Sequence, residues 1–355
     1  MNLAVVEQIA KAVLYEGYML YPYRPSAVKN QQRFNFGVVA PEARAKASFS
    51  NELSCITTEC LLRGGRESQL ELEVRFLQLV QRDVEVRQAS SSQAASGLRS
   101  DFAKVEKFEM SGRILSSWQE AIERRVGLGP FSVAVLLDAP VRKKFSFDAV
   151  RETEPVFDDD GDLSARFVRH RQSISGYVDL LVTQLDAHLF KMSVSVANDS
   201  PLAESTVSSR ERAMLTSFLS THKVLRCSSA EFISLTDPPE ELRDSAAVCK
   251  NTGTWPVLAS ESEEHPNVLL SSPIILYDYP EIAQESPGDL FDGTEIDEIL
   301  ALRILTMTDE EKREMRSVDD RTRAILERTE LLRAEHFMKL HGAMRGLAPA
   351  EKARR

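Results

Sequence analysis

The sequence LELEVRFLQLVQRDVEV, residues 70–86, decides the fold class. Apolar and charged side chains alternate at its start: Leu70, Leu72, Val74 and Phe76 lie between Glu71, Glu73 and Arg75. Because successive side chains of a strand point to opposite faces of a sheet, this period of two predicts a strand with one face buried. The stretch therefore indicates a mainly antiparallel sheet as the core of the protein.

Polar segments on either side of further strand-like stretches indicate where that sheet is interrupted. Residues 89–97, ASSSQAASG, predict a flexible loop. Residues 158–162, DDDGD, alternate carboxylates around a glycine, a pattern that suggests either a calcium site or a turn. The apolar Phe157 and Leu163 on each side and the Asp-Gly pair favour a hairpin turn. Between these segments, residues 116–126 look like a short helix and residues 131–137 like a buried strand.

Helical signals lie at the two ends of the chain. Apolar residues recur at helical spacing near the N-terminus, at Leu3, Val6, Ile9, Ala10 and Val13. Near the C-terminus, 294–297 and 308–311 resemble capping boxes, which predict helices over about 295–306 and 309–316. Two more are expected, one from Asp319 or Asp320 to about 332 and one over 333–344. We therefore expect an α+β fold, with a core domain over 1–290 and a helical region over 291–355.

The charge of the chain is unevenly distributed. The 355 residues carry a net charge of −10, and residues 261–311 hold 14 Asp and Glu against the single Arg303. Residues 312–355 hold 12 Lys and Arg against 7 Asp and Glu. An acidic block beside a basic tail lacks the broad basic face that nucleic acid binding needs, so we expect a protein partner and no nucleic acid. A solvated surface is the alternative reading of the same charges.

The N-terminus and the cysteines predict a cytoplasmic protein. No apolar run reaches 18 residues, so no membrane span is expected. The apolar N-terminus lacks a basic leading segment, and Glu7, Lys11 and Glu16 interrupt it, which argues against a signal peptide. Four cysteines without a dense or paired spacing do not indicate a disulfide framework. The oligomeric state is left open.

Motifs of common catalytic and metal sites are missing from the sequence. It contains no phosphate-binding loop, no G-x-G-x-x-G after a strand, no H-E-x-x-H and no G-x-S-x-G. The six histidines are scattered, and no C-x-x-C is present. We therefore expect no cofactor, no metal site and no identifiable catalytic residue.

Six of the seven tyrosines lie in two short stretches. The first is followed by basic residues, the second lies among acidic ones, and each contains a proline beside a tyrosine. Rigid aromatic side chains with neighbouring arginines are typical of protein interfaces. We therefore expect the two stretches to meet on one partner-binding surface, with internal packing and a small-ligand pocket as the alternatives. The candidate residues are Tyr21, Tyr23, Arg24, Lys29, Asn30, Arg33, Tyr277, Asp278, Tyr279 and Glu281.

Parts of the sequence resemble a known family. Residues 13–39, VLYEGYMLYPYRPSAVKNQQRFNFGVV, and the later segments SSPIILYDYPEI (271–282), GDLFDGTEIDEILALRILTMTDEEKREMR (288–316), DDRTRAILERTE (319–330) and LHGAMR (340–345) are similar to bacterial proteins encoded beside NiFe-hydrogenase genes. The resemblance covers the two ends of the chain and leaves about 45–265 unassigned. It implies an accessory, assembly or maturation role, and it carries over no catalytic residues.

Two functions from different classes follow from these observations. The first is a non-catalytic accessory protein that binds a hydrogenase subunit or another maturation protein. The second is an enzyme in which Arg24, Lys29 and Arg33 hold a small anionic substrate, with Asp278 and Glu281 as acid and base. An enzyme should have a concave pocket where these groups converge, whereas a docking protein should have an exposed aromatic patch.

Overall fold

A computed structural model describes residues 4–19, 27, 30, 33–34, 36–47, 49–88, 101–260, 264–281 and 297–332. Thirteen strands lie in these ranges. In chain order they are β1 (Cys55–Arg87), β2 (Phe102–Val105), β3 (Lys107–Met110), β4 (Arg113–Ser116), β5 (Trp118–Ser132), β6 (Val141–Phe147), β7 (Val150–Phe157), β8 (Leu163–Arg171), β9 (Ile174–Asp186), β10 (Leu189–Asn198), β11 (Leu219–Ile233), β12 (Trp255–Leu258) and β13 (Val268–Ser272).

Strand β1 is the spine of the sheet. It is 33 residues long and contains the alternating stretch 70–86. The order along the sheet is β12-β13-β11-β1-β10-β9-β6, and β5, β2 and β8 also pair with β1. Residues 69–77 pair with β11 on one edge and with β5 on the other, and both pairings are antiparallel. The sequence prediction of a mainly antiparallel core is thus confirmed, and β3 and β4 form a separate two-stranded sheet.

Nine α-helices complete the described part of the chain, together with a 3₁₀ turn at Glu240–Leu242. They are α1 (Ala4–Tyr15), α2 (Glu42–Ala45), α3 (Val133–Asp138), α4 (Glu204–Val207), α5 (Arg210–Met214), α6 (Arg243–Ala247), α7 (Asp297–Leu305), α8 (Asp309–Arg316) and α9 (Asp320–Glu330). The α+β class, with an N-terminal helix and C-terminal helices, is confirmed.

The C-terminal helices pack onto the sheet next to α1. One apolar cluster contains Leu14 of α1, Leu79 of β1, Ile304 of α7, Met315 of α8 and Leu326 of α9, all buried. A larger cluster fills the space beneath the rest of the sheet, between β1, β9, β10 and β11. Burying this many apolar side chains is the main favourable contribution to folding.

Two local predictions from the sequence are wrong. Residues 116–126 form most of β5, whose polar side chains have partners on β1: Glu123 lies 2.7 Å from Arg75. Pairing with β1 outweighs the weak helix preference of these residues. Residues 131–137 lie mostly in α3, where the Ser132 hydroxyl accepts a bond from the Val135 N–H and one face is buried in the core.

The predicted turn and cap are confirmed where the structure describes them. β7 and β8 are joined by a turn in which the Asp158 carboxylate accepts bonds from the N–H groups of Asp160 and Asp162. Helix α8 begins with the capping box of Thr308 and Glu311. The predicted loop 89–97, the cap at 294–296 and the helix over 333–344 lie outside the described residues.

Candidate functional site

Four of the ten candidate residues, Tyr21, Tyr23, Arg24 and Lys29, lie outside the described residues. The meeting of the two tyrosine-rich stretches therefore stays a prediction. The other six are described, and they fall into two groups with different bonding partners.

Asn30 and Arg33 are buried, with exposures of 5% and 6%. Arg33 Nη1 donates to the Tyr18 carbonyl and Nη2 to the Gln119 carbonyl, each at 2.9 Å. The Arg33 guanidinium carbon lies 3.8 Å from the centre of the Trp118 ring, which is a cation–π contact. Burial lowers the pKa of Arg33 to about 10, so it is charged at neutral pH.

The segment Tyr277 to Glu281 returns along the outer side of β12. Asp278 Oδ1 accepts a bond from the Leu258 N–H, and the Tyr279 N–H donates to the Leu258 carbonyl, both at 2.7 Å. Asp278 Oδ2 also accepts a bond from the Ser234 hydroxyl. These bonds cover backbone groups at the end of the sheet, where an open edge invites unwanted pairing. Tyr277 and Glu281 are exposed, and Tyr279 is partly buried against the larger cluster.

Asn30 and Arg33 line a cavity of about 1030 Å³, which we call the Trp118 cavity. Its apolar wall consists of Phe34, Leu79, Trp118 and Met214. Its charged residues are Arg33, Lys104, Glu106, Lys107, Arg210, Glu211 and Glu314. A concave, partly apolar hollow with a few convergent polar groups is the usual form of a small-molecule site.

A second hollow, of about 1060 Å³, lies between the β3–β4 turn, strands β5, β7 and β8, and helices α8 and α9. We call it the arginine groove. Seven arginines line it: Arg82, Arg113, Arg169, Arg313, Arg316, Arg321 and Arg323. The carboxylates that line it are Glu120, Glu154, Asp319 and Asp320. Among the lining residues, arginines outnumber carboxylates by seven to four, in a chain whose net charge is −10. Two glutamates outside the lining, Glu109 and Glu330, pair with Arg313 and Arg316.

Arg82 forms the floor of the arginine groove and is 4% exposed. Its Nη1 donates to Glu120 at 2.8 Å and to the Val318 carbonyl at 2.6 Å. Its Nη2 donates to the carbonyls of Ser116 and Ser317. Although burial lowers the pKa of Arg82, Glu120 opposes that effect. One guanidinium thus joins β1 and β5 to the turn between α8 and α9.

Asp319, which also lines the groove, bonds to two separate parts of the chain. Its Oδ1 accepts a bond from the Thr322 N–H at 2.8 Å and caps α9, while its Oδ2 accepts one from the Tyr18 hydroxyl. Burial and then the neighbouring Asp319 charge raise the pKa of Tyr18 well above its usual value, so the phenol keeps its proton. The start of α9 is therefore held to the segment that follows α1.

The outer arginines have solvent-exposed partners. Arg313 lies 3.3 Å from Glu109 and Arg323 lies 2.9 Å from Asp320. Exposed ion pairs of this kind contribute about 0–1 kcal/mol because water and salt screen them. An incoming anion can therefore replace these partners at little cost. Arg113 Nη2 donates to the Phe157 carbonyl at 3.4 Å.

Another buried cation, Lys223, lies in the sheet. Lys223 of β11 is fully buried, and its Nζ donates to the hydroxyls of Thr58 and Thr254, each at 2.9 Å. Burial lowers the pKa of Lys223 to about 7, because no carboxylate in the described ranges pairs with it to offset the loss of hydration. Its neighbour His222 is also buried, and burial lowers the pKa of His222 to about 3.

The sequence analysis did not identify the arginine groove. Its arginines come from positions between 82 and 323, on the five elements β1, β4, β8, α8 and α9, so their grouping has no local pattern. The one partial signal was the basic excess of residues 312–355.

Three further findings concern metal sites, membrane-spanning helices and similarity to known proteins. No group of three or more His, Cys, Asp or Glu side chains in the described ranges is placed to hold a metal ion. Among the described helices, none has both the length and the apolar character needed to cross a membrane. No family model, curated protein or solved structure matches the chain.

Proposed function

We propose that this chain is a non-catalytic accessory protein whose arginine groove binds a protein partner. The observation that carries the proposal is the surplus of arginine in one groove of an acidic chain. Arginine keeps its charge at all physiological pH values and offers a planar fork that fits a carboxylate. The proposed contact is an acidic segment of the partner, chosen by charge complementarity.

Apolar surface beside these arginines supports the same role. Phe157, which is 51% exposed, lines the arginine groove together with Ile114 and Phe167. The guanidinium carbon of Arg82 lies 4.9 Å and that of Arg169 5.5 Å from the centre of the Phe167 ring. Arginine and aromatic side chains are enriched at the centres of protein interfaces. A partner segment that is both acidic and apolar would use both features.

The bonding of the groove carboxylates supports a non-catalytic role. Glu120 accepts bonds from Arg82 and Arg169, and Asp319 caps α9 while it binds Tyr18. Asp320 pairs with Arg323. Glu120 and Asp319 thus hold parts of the fold together, whereas an acid or base must be free to exchange a proton with a substrate.

The partner class and the compartment come from the sequence. The resemblance to proteins encoded beside NiFe-hydrogenase genes implies a hydrogenase subunit or a maturation protein as the partner. We place this binding in the cytoplasm. The four cysteines are free thiols in the structure, as is usual in a reducing compartment.

Purified components test the proposal directly. The chain should bind a hydrogenase subunit or maturation protein of its native host, and rising salt should weaken the complex. Arg313→Glu combined with Arg323→Glu should weaken binding by about 100-fold, since two attractive contacts become repulsive. The matched control is Arg66→Glu combined with Arg142→Glu, which changes the net charge by the same amount. Both are exposed arginines away from the groove: Arg66 bonds to Gln184 and Arg142 pairs with Asp179.

Two results would count against this function. If the double variant and the parent bind equally well, the arginine groove is not the binding surface. If none of the hydrogenase subunits and maturation proteins binds the parent, the partner class is wrong. A loss of binding that the control Arg66→Glu with Arg142→Glu shows to the same degree would mean that net charge alone, and not the groove, governs the complex.

A further inference from the structure

Two side chains that line the Trp118 cavity, Arg33 and Trp118, have N–H donors without an anionic or hydrogen-bonding partner among the described residues. Within the described residues, Arg33 has no carboxylate at ion-pair distance, and its two bonds go to neutral carbonyls. In the same part of the chain, Trp118 Nε1 is buried and has no acceptor. Both residues line the cavity, and both are more than nine-tenths buried.

Without a ligand, a buried guanidinium that has no carboxylate partner and a buried indole N–H that has no acceptor both lower the stability of the folded protein. A buried charge is normally paired, and a buried N–H group normally has an acceptor. A guanidinium has five N–H donors, and the bonds of Arg33 to Tyr18 and Gln119 use two of them. Three donors therefore remain to bind an anion.

The shape and lining of the cavity indicate what kind of anion fits. Phe34, Leu79 and Met214 make one side apolar, next to the Trp118 ring. The volume of about 1030 Å³ is large enough for a small organic molecule. Inorganic anions would leave this apolar surface uncovered, whereas an organic anion would bury it.

The other charges around the cavity have their own partners or lie at its rim. Lys104 pairs with Asp83 at 2.9 Å, and Arg210 pairs with Glu52 at 3.0 Å. Lys107 is exposed. The lining carboxylates are Glu106, Glu211 and Glu314, and they disfavour a ligand with several negative charges. A single negative charge suits this balance best.

We propose that the Trp118 cavity binds a small organic monocarboxylate with an apolar body. The carboxylate accepts bonds from Arg33 and Trp118 Nε1, and the apolar body lies against Phe34, Leu79 and Met214. This site is separate from the arginine groove and does not depend on the proposed function. The ligand would be held and not converted, in agreement with a sensing or stabilising role.

Tryptophan fluorescence provides the test. The chain has two tryptophans, so Trp255→Phe leaves Trp118 as the only indole. Cyclohexanecarboxylate, phenylacetate and hexanoate are the probes, and cyclohexanecarboxamide is the uncharged match of the first. We expect at least one carboxylate to change the Trp118 emission saturably, and cyclohexanecarboxamide to bind at least about ten-fold more weakly than cyclohexanecarboxylate, since a charge-assisted bond is lost.

Two variants locate the contact, with calorimetry as the measurement. Arg33→Lys keeps the charge but loses the fork, and it should weaken binding by about ten-fold. Trp118→Phe keeps a ring beside Arg33 and removes the Nε1 donor, so it should weaken binding by a few-fold. Arg142→Lys is the control for Arg33→Lys and should bind as the parent does. If Arg33→Lys fails to fold, Trp118→Phe and the carboxamide comparison still decide the question.

Three results would overturn the proposal. The first is no saturable binding of any of the three carboxylates. The second is equal binding of cyclohexanecarboxylate and cyclohexanecarboxamide. The third is that inorganic phosphate binds as tightly as the carboxylates, which would make the cavity a general anion site. None of these results would affect the binding of a protein at the arginine groove.

Discussion

The Trp118 cavity and the arginine groove are similar in size, and each has a buried arginine in its wall. The two arginines differ in their bonding partners. Arg82 in the groove has Glu120 at 2.8 Å and three carbonyls as acceptors. Arg33 in the cavity has two carbonyls and a ring. A buried guanidinium that pairs with a carboxylate of the protein holds parts of the fold together, and we call it a structural clamp. A buried guanidinium without such a carboxylate is a candidate for binding an anion.

The largest expected effect tests that difference on stability. Arg82→Met should lower the free energy of unfolding by about 3–5 kcal/mol, because it removes the donor to three buried carbonyls and leaves Glu120 with Arg169 as its remaining partner. Arg33→Met should cost less, about 1 kcal/mol, because it removes an unpaired charge together with two hydrogen bonds. Urea denaturation of both variants measures the two losses. Equal losses would contradict the division between clamp and binding group.

A second prediction concerns Lys223, a buried cation that, like Arg33, has no carboxylate at ion-pair distance among the described residues. Lys223→Met should raise the free energy of unfolding at pH 7 by about 1–4 kcal/mol, as replacement of buried charges by apolar groups often does. The effect of Lys223 on the free energy of unfolding depends on pH. Since the folded pKa of Lys223 is about 7 and its ordinary value is 10.5, the unfolded chain binds more protons between these values.

The stability of the parent should therefore rise with pH between about 7 and 10.5, by at most about 1.4 kcal/mol per pH unit from this group. Lys223→Met should lack that part of the rise. The thiols of Cys55 and Cys60 act electrostatically on Lys223, and burial raises the pKa of both thiols; the adjacent His222 has a pKa of about 3 and stays neutral in this range. Urea denaturation at several pH values measures the slope, and identical slopes in the parent and the variant would exclude a buried, low-pKa Lys223.

The smallest expected effect concerns the outer arginines of the arginine groove. Arg313→Ala should change the free energy of unfolding by about 0.5 kcal/mol or less, because its pair with Glu109 is exposed. The free energies of unfolding of Arg82→Met and Arg313→Ala would then differ by several kcal/mol, although both arginines line the same groove. Thermal unfolding with calorimetry gives the value. A loss of more than about 2 kcal/mol would mean that Arg313 is part of the clamp and not available to a partner.

The candidate site could be predicted only in part from the sequence. Arg33 and Asp278 were assigned to a partner-binding surface, and that assignment stays a prediction. The sequence could not reveal their bonding partners: Arg33 donates to the carbonyls of Tyr18 and Gln119, and the Asp278 carboxylate bonds to Leu258 and Ser234. The physical reason is that hydrogen bonds between residues distant in the chain decide where a polar side chain is directed.

By itself, the sequence determined the elements whose signals are local. Alternation in residues 70–86 identified the spine strand, and the capping box at Thr308 identified the start of α8, because side-chain periodicity and capping depend on residues a few positions apart. Only the tertiary structure decided the rest. Residues 116–126 became a strand through pairing with β1, and seven arginines from 82 to 323 came together in one groove. Pairing and packing between distant residues outweigh local preference by several kcal/mol, so a single sequence does not reveal them.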